Sequence, residues 1–478
     1  MSIQDRASLW RDRLFLGTLL LAFKLALLWA LGPAFLPDTG GYQAVAEMIA
    51  TGTLGAQDLT ATVIPPSLFR IVGYPLVIAA VTAIGGAAWP WLLVGAQLAL
   101  SVAATVMVHA TARRLGLSRW ASLGAALAQA TSLPLVLDQA VLTDSLYGSL
   151  TVMAACLLLR AVLAESGRAF GTVAAAGMLV ALAFLLREAT LFLAVGFLPL
   201  AALAARGCGR WAPLRAATLV IVFVLPLALV QHGYREWNRA RIGLPIITTG
   251  GQTNMIFAIS KAARHDPGVF DGDSPVARAS RATFQTYEFV EVLEVNQRLF
   301  AEYGLTAPDI AKAGTAAYLQ AWRQHFMSML MVPLNHLRAN QAQLTIRPLE
   351  SVRELILWCK GDDGGFARWR AVKDGKWWMA PVAALDGVSK AAAVVVFAAF
   401  ALLTPWRLWR GDGATTANLA MAGGWLLYFC FLGAYALVHL ETRYVAPVVP
   451  LSILGGFANL AWLASIRKAG RRPPPNAL

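Results

Sequence analysis

The chain has 478 residues, of which 58% are hydrophobic and only 14% are charged, and it contains 16 tryptophans. No soluble core of this length needs so much apolar sequence, so the composition and the mean hydropathy of +0.59 indicate a polytopic membrane protein. The net charge of +14 lies mainly in short basic loops, which suits anionic lipid rather than nucleic acid. We expect membrane lipid as a partner and no nucleic acid.

Long apolar segments predict the fold class, which is an all-α polytopic helix bundle. A helix needs about 20 largely apolar residues to cross the hydrocarbon of a bilayer. Ten segments are predicted to cross, at residues 14–36, 91–112, 120–137, 141–163, 170–186, 189–205, 213–230, 381–403, 417–438 and 444–466.

An eleventh apolar run at 71–88 is interpreted from the charge of the loops. Lysine and arginine cluster near the N-terminus, at 113–119, at 206–215, at 407–410 and in the tail, and the positive-inside rule assigns these clusters to the cytoplasm. A complete crossing by 71–88 would invert every later loop, so we predict a re-entrant or interfacial helix there. The alternative is a full span that violates the charge rule, with a tight turn at Gly85-Gly86.

This topology divides the chain into three predicted units. Residues 1–230 form an N-terminal transmembrane module, with a first external loop at 37–70 and the interfacial helix at 71–88. Residues 231–380 form a largely helical external segment, whose Met-rich stretch at 326–332 is expected to lie against the bilayer. Residues 381–478 form C-terminal transmembrane helices and a basic cytoplasmic tail.

Ionisable residues are rare on the predicted outer face, and most of them fall near the ends of spans. Charged groups at membrane depth cost roughly 2.5 to 3.5 kcal/mol each on insertion scales, so a set of them at one level needs an explanation. An anionic phosphate bound by arginine forks supplies one. The set comprises Asp38, Arg70, Asp138, Asp144, Arg187, Glu188, His439, Glu441 and Arg443.

Four short motifs carry a resemblance to a known family. Asp38 follows the first span and precedes Tyr42 and a small-residue helix, Arg70 opens Arg-x-x-Gly-Tyr-Pro-Leu, Asp144 lies in Leu-Thr-Asp-Ser, and Arg443 opens Arg-Tyr-x-x-Pro-x-x-Pro. Together they resemble the GT-C fold glycosyltransferases that use polyprenyl-phosphate sugars, in particular the dolichyl-phosphate-mannose protein mannosyltransferase and aminoarabinose transferase group. The likeness covers about 14–199, weakens through the external segment and returns at 443–450. The stretch 247–254 also resembles a loop of bacterial members.

The resemblance implies roles for the matching residues. Asp38 would be the catalytic base, and Asp144, or less readily Asp138, the second acidic residue of the site. Arg70, Arg187 and Arg443 would bind the lipid phosphate. The predicted set is completed by neighbouring residues assigned to substrate binding, namely Tyr42, Glu188 and Tyr444.

The sequence also departs from the family pattern, and simpler interpretations exist. Asp38 is followed by Thr39 rather than by the second acid found in several relatives, so no cofactor is assigned and a divalent metal is left open. Both Asp38 and Asp144 could instead cap the helices that follow them. The arginines could anchor their spans at the interface or pair with a neighbouring acid.

The resulting functional hypothesis is an inverting membrane glycosyltransferase, with the 1–230 unit as its catalytic module. Asp38 would deprotonate a glycan, lipid or protein acceptor as the phosphate of a polyprenyl-phosphate sugar donor leaves. The expected location is the bacterial inner membrane, with the site facing the periplasm or exterior. The alternatives are a lipid-linked glycan polymerase and a transporter or flippase of glycolipids.

Overall fold

The computed structural model describes residues 3–55, 66–164, 169–206, 211–340, 348–361, 380–410 and 415–469. Within these ranges the regular elements are helices, and the β-contact is an isolated parallel bridge between Ala34 and Ala140. Parts of the predicted external loop (56–65), basic loop (207–210), external segment (341–347 and 362–379) and basic tail (470–478) lie outside the described residues.

The helices are numbered along the chain. Up to residue 242 the described helices are α1 (Ile3–Leu31), α2 (Pro37–Ala50), α3 (Pro66–Phe69), α4 (Gly73–Gly85), α5 (Trp89–Arg114), α6 (Arg119–Ala130), α7 (Leu133–Leu137), α8 (Thr143–Val162), α9 (Ala169–Leu186), α10 (Thr190–Leu203) and α11 (Ala212–Ile242). From residue 250 they are α12 (Gly250–Ala263), α13 (Pro275–Thr283), α14 (Phe289–Ala301), α15 (Ala307–Gln324), α16 (Phe326–Asn340), α17 (Pro348–Lys360), α18 (Ala380–Trp409), α19 (Thr416–Val438) and α20 (Val449–Ala469).

The helices confirm an all-α polytopic membrane protein, with fewer long apolar helices than the ten predicted spans. In the described part of the chain, eight helical stretches are long and apolar enough to cross a bilayer. They are Leu9–Leu31, Gly73–Arg114, Thr143–Val162, Ala169–Leu186, Ala212–Ile242, Ala383–Trp409, Thr416–Val438 and Val449–Ile466.

The two remaining predicted spans correspond to shorter helices. The segment 120–137 is divided between α6 and α7, because Pro134 cannot continue a helical hydrogen-bond ladder and Ser132 adopts an extended conformation (φ −85°, ψ −151°). The segment 189–205 contains α10, which is apolar but has only 14 residues. The expectation of a single continuous helix at 120–137 was therefore wrong.

The 71–88 run folds back along the helix that follows it. Helix α4 has 13 residues, so it is about 20 Å long and shorter than a full crossing requires. A 3₁₀ turn with Gly86 at φ +50° joins it to α5. The hydroxyl of Tyr74 then donates to Oε1 of Gln97 at 2.9 Å, which aligns the two helices as a hairpin. This geometry suits a re-entrant or interfacial helix, which remains a prediction.

Two apolar cores organise the molecule. The larger one lies in the bundle around α8, whose Tyr147, Leu158 and Leu159 are fully buried. A second core joins α12 to α16 in the external segment, around residues such as Ile259 and Met329. The external segment therefore has a packed interior of its own.

A pair of cysteine substitutions tests the topology. Ser118 and Ser274 are both exposed N-cap residues, and each accepts a backbone hydrogen bond, at 3.2 and 3.1 Å. Each substitution removes the same kind of N-cap hydrogen bond, which is worth roughly 1 kcal/mol. The two variants are therefore matched in their expected effect on stability. In a background lacking the four native cysteines, we expect Ser274→Cys to react with an impermeant thiol reagent in intact cells and Ser118→Cys to resist it. Labelling of Ser118→Cys from outside would make 71–88 a complete span.

Candidate active site

The start of α2 fixes the position of Asp38. Pro37 begins the helix, where a residue without an N–H is tolerated, and Asp38 follows in the first turn, where the helix dipole favours negative charge. Thr39 Oγ1 accepts from the N–H of Leu36 at 3.0 Å and donates to the carbonyl oxygen of Val141 at 3.0 Å. Asp38 is therefore held against the segment that leads into α8.

Two arginines occupy the two carboxylate oxygens of Asp38. Nη2 of Arg70 lies 2.8 Å from Oδ1, and Nη2 of Arg443 lies 2.7 Å from Oδ2. Burial alone would raise the pKa of Asp38, but the two guanidinium groups outweigh it and lower this pKa to about 2. The side chain is still 31% exposed. Asp38 is therefore an ionised, partly accessible carboxylate between two cations that are distant in sequence.

The third predicted arginine is paired with the second predicted acid. Nη1 of Arg187 lies 2.7 Å from Oδ1 of Asp144, which is buried in the first turn of α8. The guanidinium of Arg187 also stacks over the ring of Tyr444 at 4.5 Å. Burial acts to lower the pKa of Arg187, but Asp144 outweighs it and raises this pKa. Asp144 thus lies behind Arg187 and holds its guanidinium in place.

Tyr42 supports Arg70 from the side. The guanidinium of Arg70 lies 4.3 Å from the centre of the Tyr42 ring, which makes a cation–π contact. Tyr42 in turn packs edge-on against Tyr74 at 5.1 Å. The aromatic position of the Asp38 motif therefore shapes the arginine site.

A further acid and a histidine belong to the same cluster, although the sequence did not assign them a role. Oε2 of Glu441 accepts from Nε of Arg443 at 2.6 Å, and Oε1 lies 2.8 Å from Nε2 of His439. Burial acts to raise the pKa of Glu441, but His439 and Arg443 lower it to about 2. In the sequence, the density of charge in 439–443 was the available signal for this cluster. Asp38, which pairs with Arg443, is some 400 residues away along the chain.

The charged cluster opens into a cavity of about 980 Å³. The described walls include seven of the predicted site residues: Asp38, Tyr42, Arg70, Arg187, Glu188, Arg443 and Tyr444. Apolar side chains from α10, α15 and α19 line another part, among them Phe192, Leu319 and Val438. Phe192 and Leu319 are more than half exposed, so this part of the wall is open. One cavity therefore combines a charged end with an apolar, accessible side.

The stretch 247–254, which resembled a family loop, forms another part of the wall. Residues 245–251 and Asn254 line the cavity, and the loop is held by a hydrogen bond from the N–H of Thr249 to the carbonyl oxygen of Leu68 at 2.8 Å. Glu188 faces Thr248 from the other side. Burial raises the pKa of Glu188, although Arg187 and the bond with Thr248 oppose this shift.

Asp138 is separated from this cavity. It lies outside the cavity wall formed by the described residues and is buried beside Lys24, whose ammonium group binds Oδ2. Ser145 donates to Oδ1 at 2.7 Å, and Ser101 accepts from Lys24 at 3.1 Å. A buried lysine must find a counter-charge, and Asp138 supplies it. The substrate contact predicted for Asp138 is therefore not supported by its position.

A divalent metal was left open by the sequence. Among the described residues, no group of three His, Cys, Asp or Glu side chains is arranged to hold a metal ion. Both oxygens of Asp38 are paired with arginines, and Glu441 is paired with Arg443 and His439. The carboxylates of Asp38 and Glu441 are therefore engaged by other side chains in this structure, and no step of the chemistry below depends on a metal.

No protein-family model matches the chain, and no curated protein matches it. Among solved structures, the oligosaccharyltransferase AglB of Archaeoglobus fulgidus, in complex with an inhibitory peptide and a dolichol-phosphate, is 12% identical with a TM-score of 0.49. The alignment covers 99% of this chain and 53% of AglB, so this chain spans about half the length of that enzyme.

A second similar structure is ArnT from Cupriavidus metallidurans bound to undecaprenyl phosphate. It is 16% identical with a TM-score of 0.34, over 96% of this chain and 81% of ArnT. At these identities, and with TM-scores below 0.5, the two likenesses do not establish the fold family or the activity of this chain.

The buried Lys24–Asp138 pair generates a stability prediction. Lys24→Met leaves the Asp138 carboxylate uncompensated inside the bundle, and breaking a buried pair in this way costs about 3–5 kcal/mol. We expect a lower thermal unfolding temperature in detergent for Lys24→Met. The double variant Lys24→Met, Asp138→Leu should recover much of the loss, because it leaves no unpaired charge.

The control for this prediction is Arg298→Met. Arg298 pairs with Glu302 at 3.0 Å at the end of α14, and both side chains are exposed, at 41% and 51%. Exposed pairs are worth about 0–1 kcal/mol, so this variant should unfold close to the wild type. Equal losses in Lys24→Met and Arg298→Met would show that burial of the Lys24–Asp138 pair does not add to its contribution to stability.

Proposed function

We propose that this chain is a membrane glycosyltransferase of the GT-C type, which transfers a sugar from a polyprenyl-phosphate donor to an acceptor on the external face of the membrane. The observation that carries the proposal is a carboxylate, Asp38, beside three arginines at the charged end of a cavity whose other side is apolar and open. A polyprenyl-phosphate sugar has a phosphate that suits the charged end of the cavity and a lipid tail that suits its apolar side. The four sequence motifs that resemble this family lie on the same cavity or beside it.

The apolar side of the cavity suits a prenyl chain. Phe192 and Leu319 are 58% and 51% exposed although both line the cavity, and Val438, at the end of α19, lines the same cavity. An opening lined by such side chains lets a lipid tail remain in the hydrocarbon while its phosphate reaches the arginines. This supports a donor that is anchored in the membrane.

The arginines supply the phosphate site. A guanidinium group is planar and binds phosphate oxygens through paired N–H donors, and it is always charged. Arg70, Arg187 and Arg443 all line the cavity, and each is supported by an aromatic ring within 6 Å. They would bind the phosphate of the donor and stabilise the charge that develops on it as the sugar leaves.

Asp38 would act as the general base. The acceptor hydroxyl passes its proton to a carboxylate oxygen of Asp38 as the acceptor oxygen forms a bond to the anomeric carbon. The bond between that carbon and the phosphate oxygen breaks, and its electron pair stays on the phosphate. The products are the glycosylated acceptor and a polyprenyl phosphate. A single displacement of this kind inverts the anomeric configuration.

The wider assignment follows from this chemistry. Residues 1–230 would be the catalytic module, 231–380 the external segment that receives the acceptor, and 381–478 the C-terminal helices that contribute Arg443. Glycans, lipids and proteins all offer a hydroxyl, so each is a candidate acceptor. The location would be the bacterial inner membrane, with the cavity facing the periplasm.

The first test is Asp38→Asn. The amide keeps the shape of the side chain but cannot accept the proton, so transfer should fall by about 100- to 10,000-fold. Binding of a polyprenyl phosphate should be retained, because the arginines remain. The measurement is transfer by purified protein in lipid nanodiscs, with donor binding assayed on the same sample.

The matched control is Asp273→Asn, which changes an exposed aspartate of the external segment. It should transfer at the wild-type rate. An Asp38→Asn protein that is folded and keeps a substantial fraction of wild-type transfer would remove Asp38 from the role of base.

The second test concerns the arginines. Replacing Arg70, Arg187 or Arg443 by Ala removes charge-assisted hydrogen bonds worth about 1.5–3 kcal/mol, which corresponds to roughly 10- to 150-fold weaker binding of polyprenyl phosphate. Lys variants should lie between Ala and the wild type, because they keep the charge but lose the planar fork. Arg298→Ala, which breaks an exposed pair with Glu302, should bind normally. Unchanged affinity in all three site variants would reduce these arginines to structural anchors.

A further inference from the structure

The guanidinium of Arg443 is held on two sides by two different carboxylates. Its Nε donates to Oε2 of Glu441 at 2.6 Å, while its Nη2 lies 2.7 Å from Oδ2 of Asp38. The two acids belong to distant parts of the chain, one in the 3₁₀ turn region before α20 and the other in α2. Arg443 therefore links the proposed base to Glu441.

Glu441 is itself held firmly. Its other oxygen, Oε1, lies 2.8 Å from Nε2 of His439. The ring of His439 packs edge-on against Phe257 at 4.9 Å and Tyr444 at 5.8 Å, and only 15% of the side chain is exposed. Both carboxylate oxygens of Glu441 are thus bound, and Glu441 lines the same cavity as Asp38 and Arg443.

The arrangement conflicts with the role of Asp38 as a base unless something changes. A general base needs an oxygen within reach of the acceptor proton and a pKa near the working pH. Both oxygens of Asp38 are taken by Arg70 and Arg443, and its pKa of about 2 makes it a weak base. Another anion must bind the two arginines before Asp38 can accept a proton.

We infer that Glu441 is a positioning residue: it holds Arg443 through Nε, so that the Nη side can pass from Asp38 to the phosphate of the donor and leave Asp38 free to accept the proton. This inference rests on the proposed function. The donor must therefore bind before the acceptor is activated. Without the Nε contact, Arg443 would keep its charge and its ion pair with Asp38, but Glu441 would no longer hold its Nε when the Nη side changes partner.

Proton linkage provides a readout that does not depend on catalysis. When the arginines move to the phosphate, the pKa of Asp38 rises towards its ordinary value near 3.9. A group whose pKa rises on binding takes up protons, and here the uptake occurs below the raised pKa and above about 2. Donor binding should therefore take up protons most strongly near pH 3, with about 0.4 proton left at pH 4 and almost none towards pH 7.

The experiment uses the full chain in lipid nanodiscs and a short prenyl methyl phosphodiester as the probe. A phosphodiester keeps one negative charge throughout this pH range, so the ligand itself does not titrate. Calorimetry in two buffers of different ionisation enthalpy gives the number of protons taken up. We expect uptake in the wild type, none in Asp38→Asn, and reduced uptake in Glu441→Gln with the probe still bound.

Steady-state transfer gives the second readout. Glu441→Gln should lower kcat by about 10- to 100-fold, the effect of a lost charge-assisted bond, with donor KM close to the wild type. Glu441→Asp keeps the charge and should recover part of kcat. Glu302→Gln breaks an exposed pair with Arg298 and should behave as the wild type. A merely structural role for Glu441 would change the yield of folded protein but not the proton uptake per bound probe.

The outcomes separate the inference from the function on which it rests. A wild type that fails to bind the probe at all contradicts the proposed function. A wild type that binds the probe without proton uptake, or a Glu441→Gln protein with normal kcat and normal uptake, overturns the role of Glu441 and leaves the glycosyltransferase assignment standing.

Discussion

Pairing of charge inside an apolar bundle is the constraint on which this structure depends. An ionised group taken out of water costs several kcal/mol unless a partner of opposite sign lies within reach. The described bundle meets this requirement with Lys24 and Asp138, with Arg187 and Asp144, and with Asp38 between two arginines. Each pair joins segments that are far apart in sequence, so the same contacts that neutralise charge also hold the helices together.

Three arginines that line the cavity, Arg70, Arg187 and Arg443, are each paired with an acid, and this pairing bears on the proposed chemistry. Arg187 faces Asp144, while Arg70 and Arg443 face Asp38, and Arg443 also faces Glu441. An incoming phosphate therefore competes with carboxylates for guanidinium groups that are already engaged. Asp144 is buried behind Arg187, whereas Asp38 and Glu441 are both partly exposed, at 31% and 37%. An exchange at Asp38 is the one that would release the proposed base.

The chain order of the site has a physical consequence of its own. Asp38 and Arg70 come from the first 70 residues, and Arg443 comes from the turn just before the last helix. The ion pairs to Asp38 consequently connect the N-terminal and C-terminal parts of the chain at the cavity. The external segment adds a separate core and contributes side chains of α12 and α15 to the same cavity. The N-terminal segment, the turn before α20 and the external segment therefore all meet at the cavity in which Asp38 would change its partner.

The sequence by itself determined the class of protein and most of the charged residues of the site. Apolar length predicts membrane helices because the bilayer sets a minimum span, and charged residues at helix ends stand out because burial of charge is costly. Tertiary structure decided which of those charges meet. It directed Asp138 to Lys24 rather than to the cavity, divided 120–137 at Pro134, and brought Glu441 into the network around Asp38. Such pairings depend on distances between helices that are remote in sequence, and no local pattern of residues encodes them.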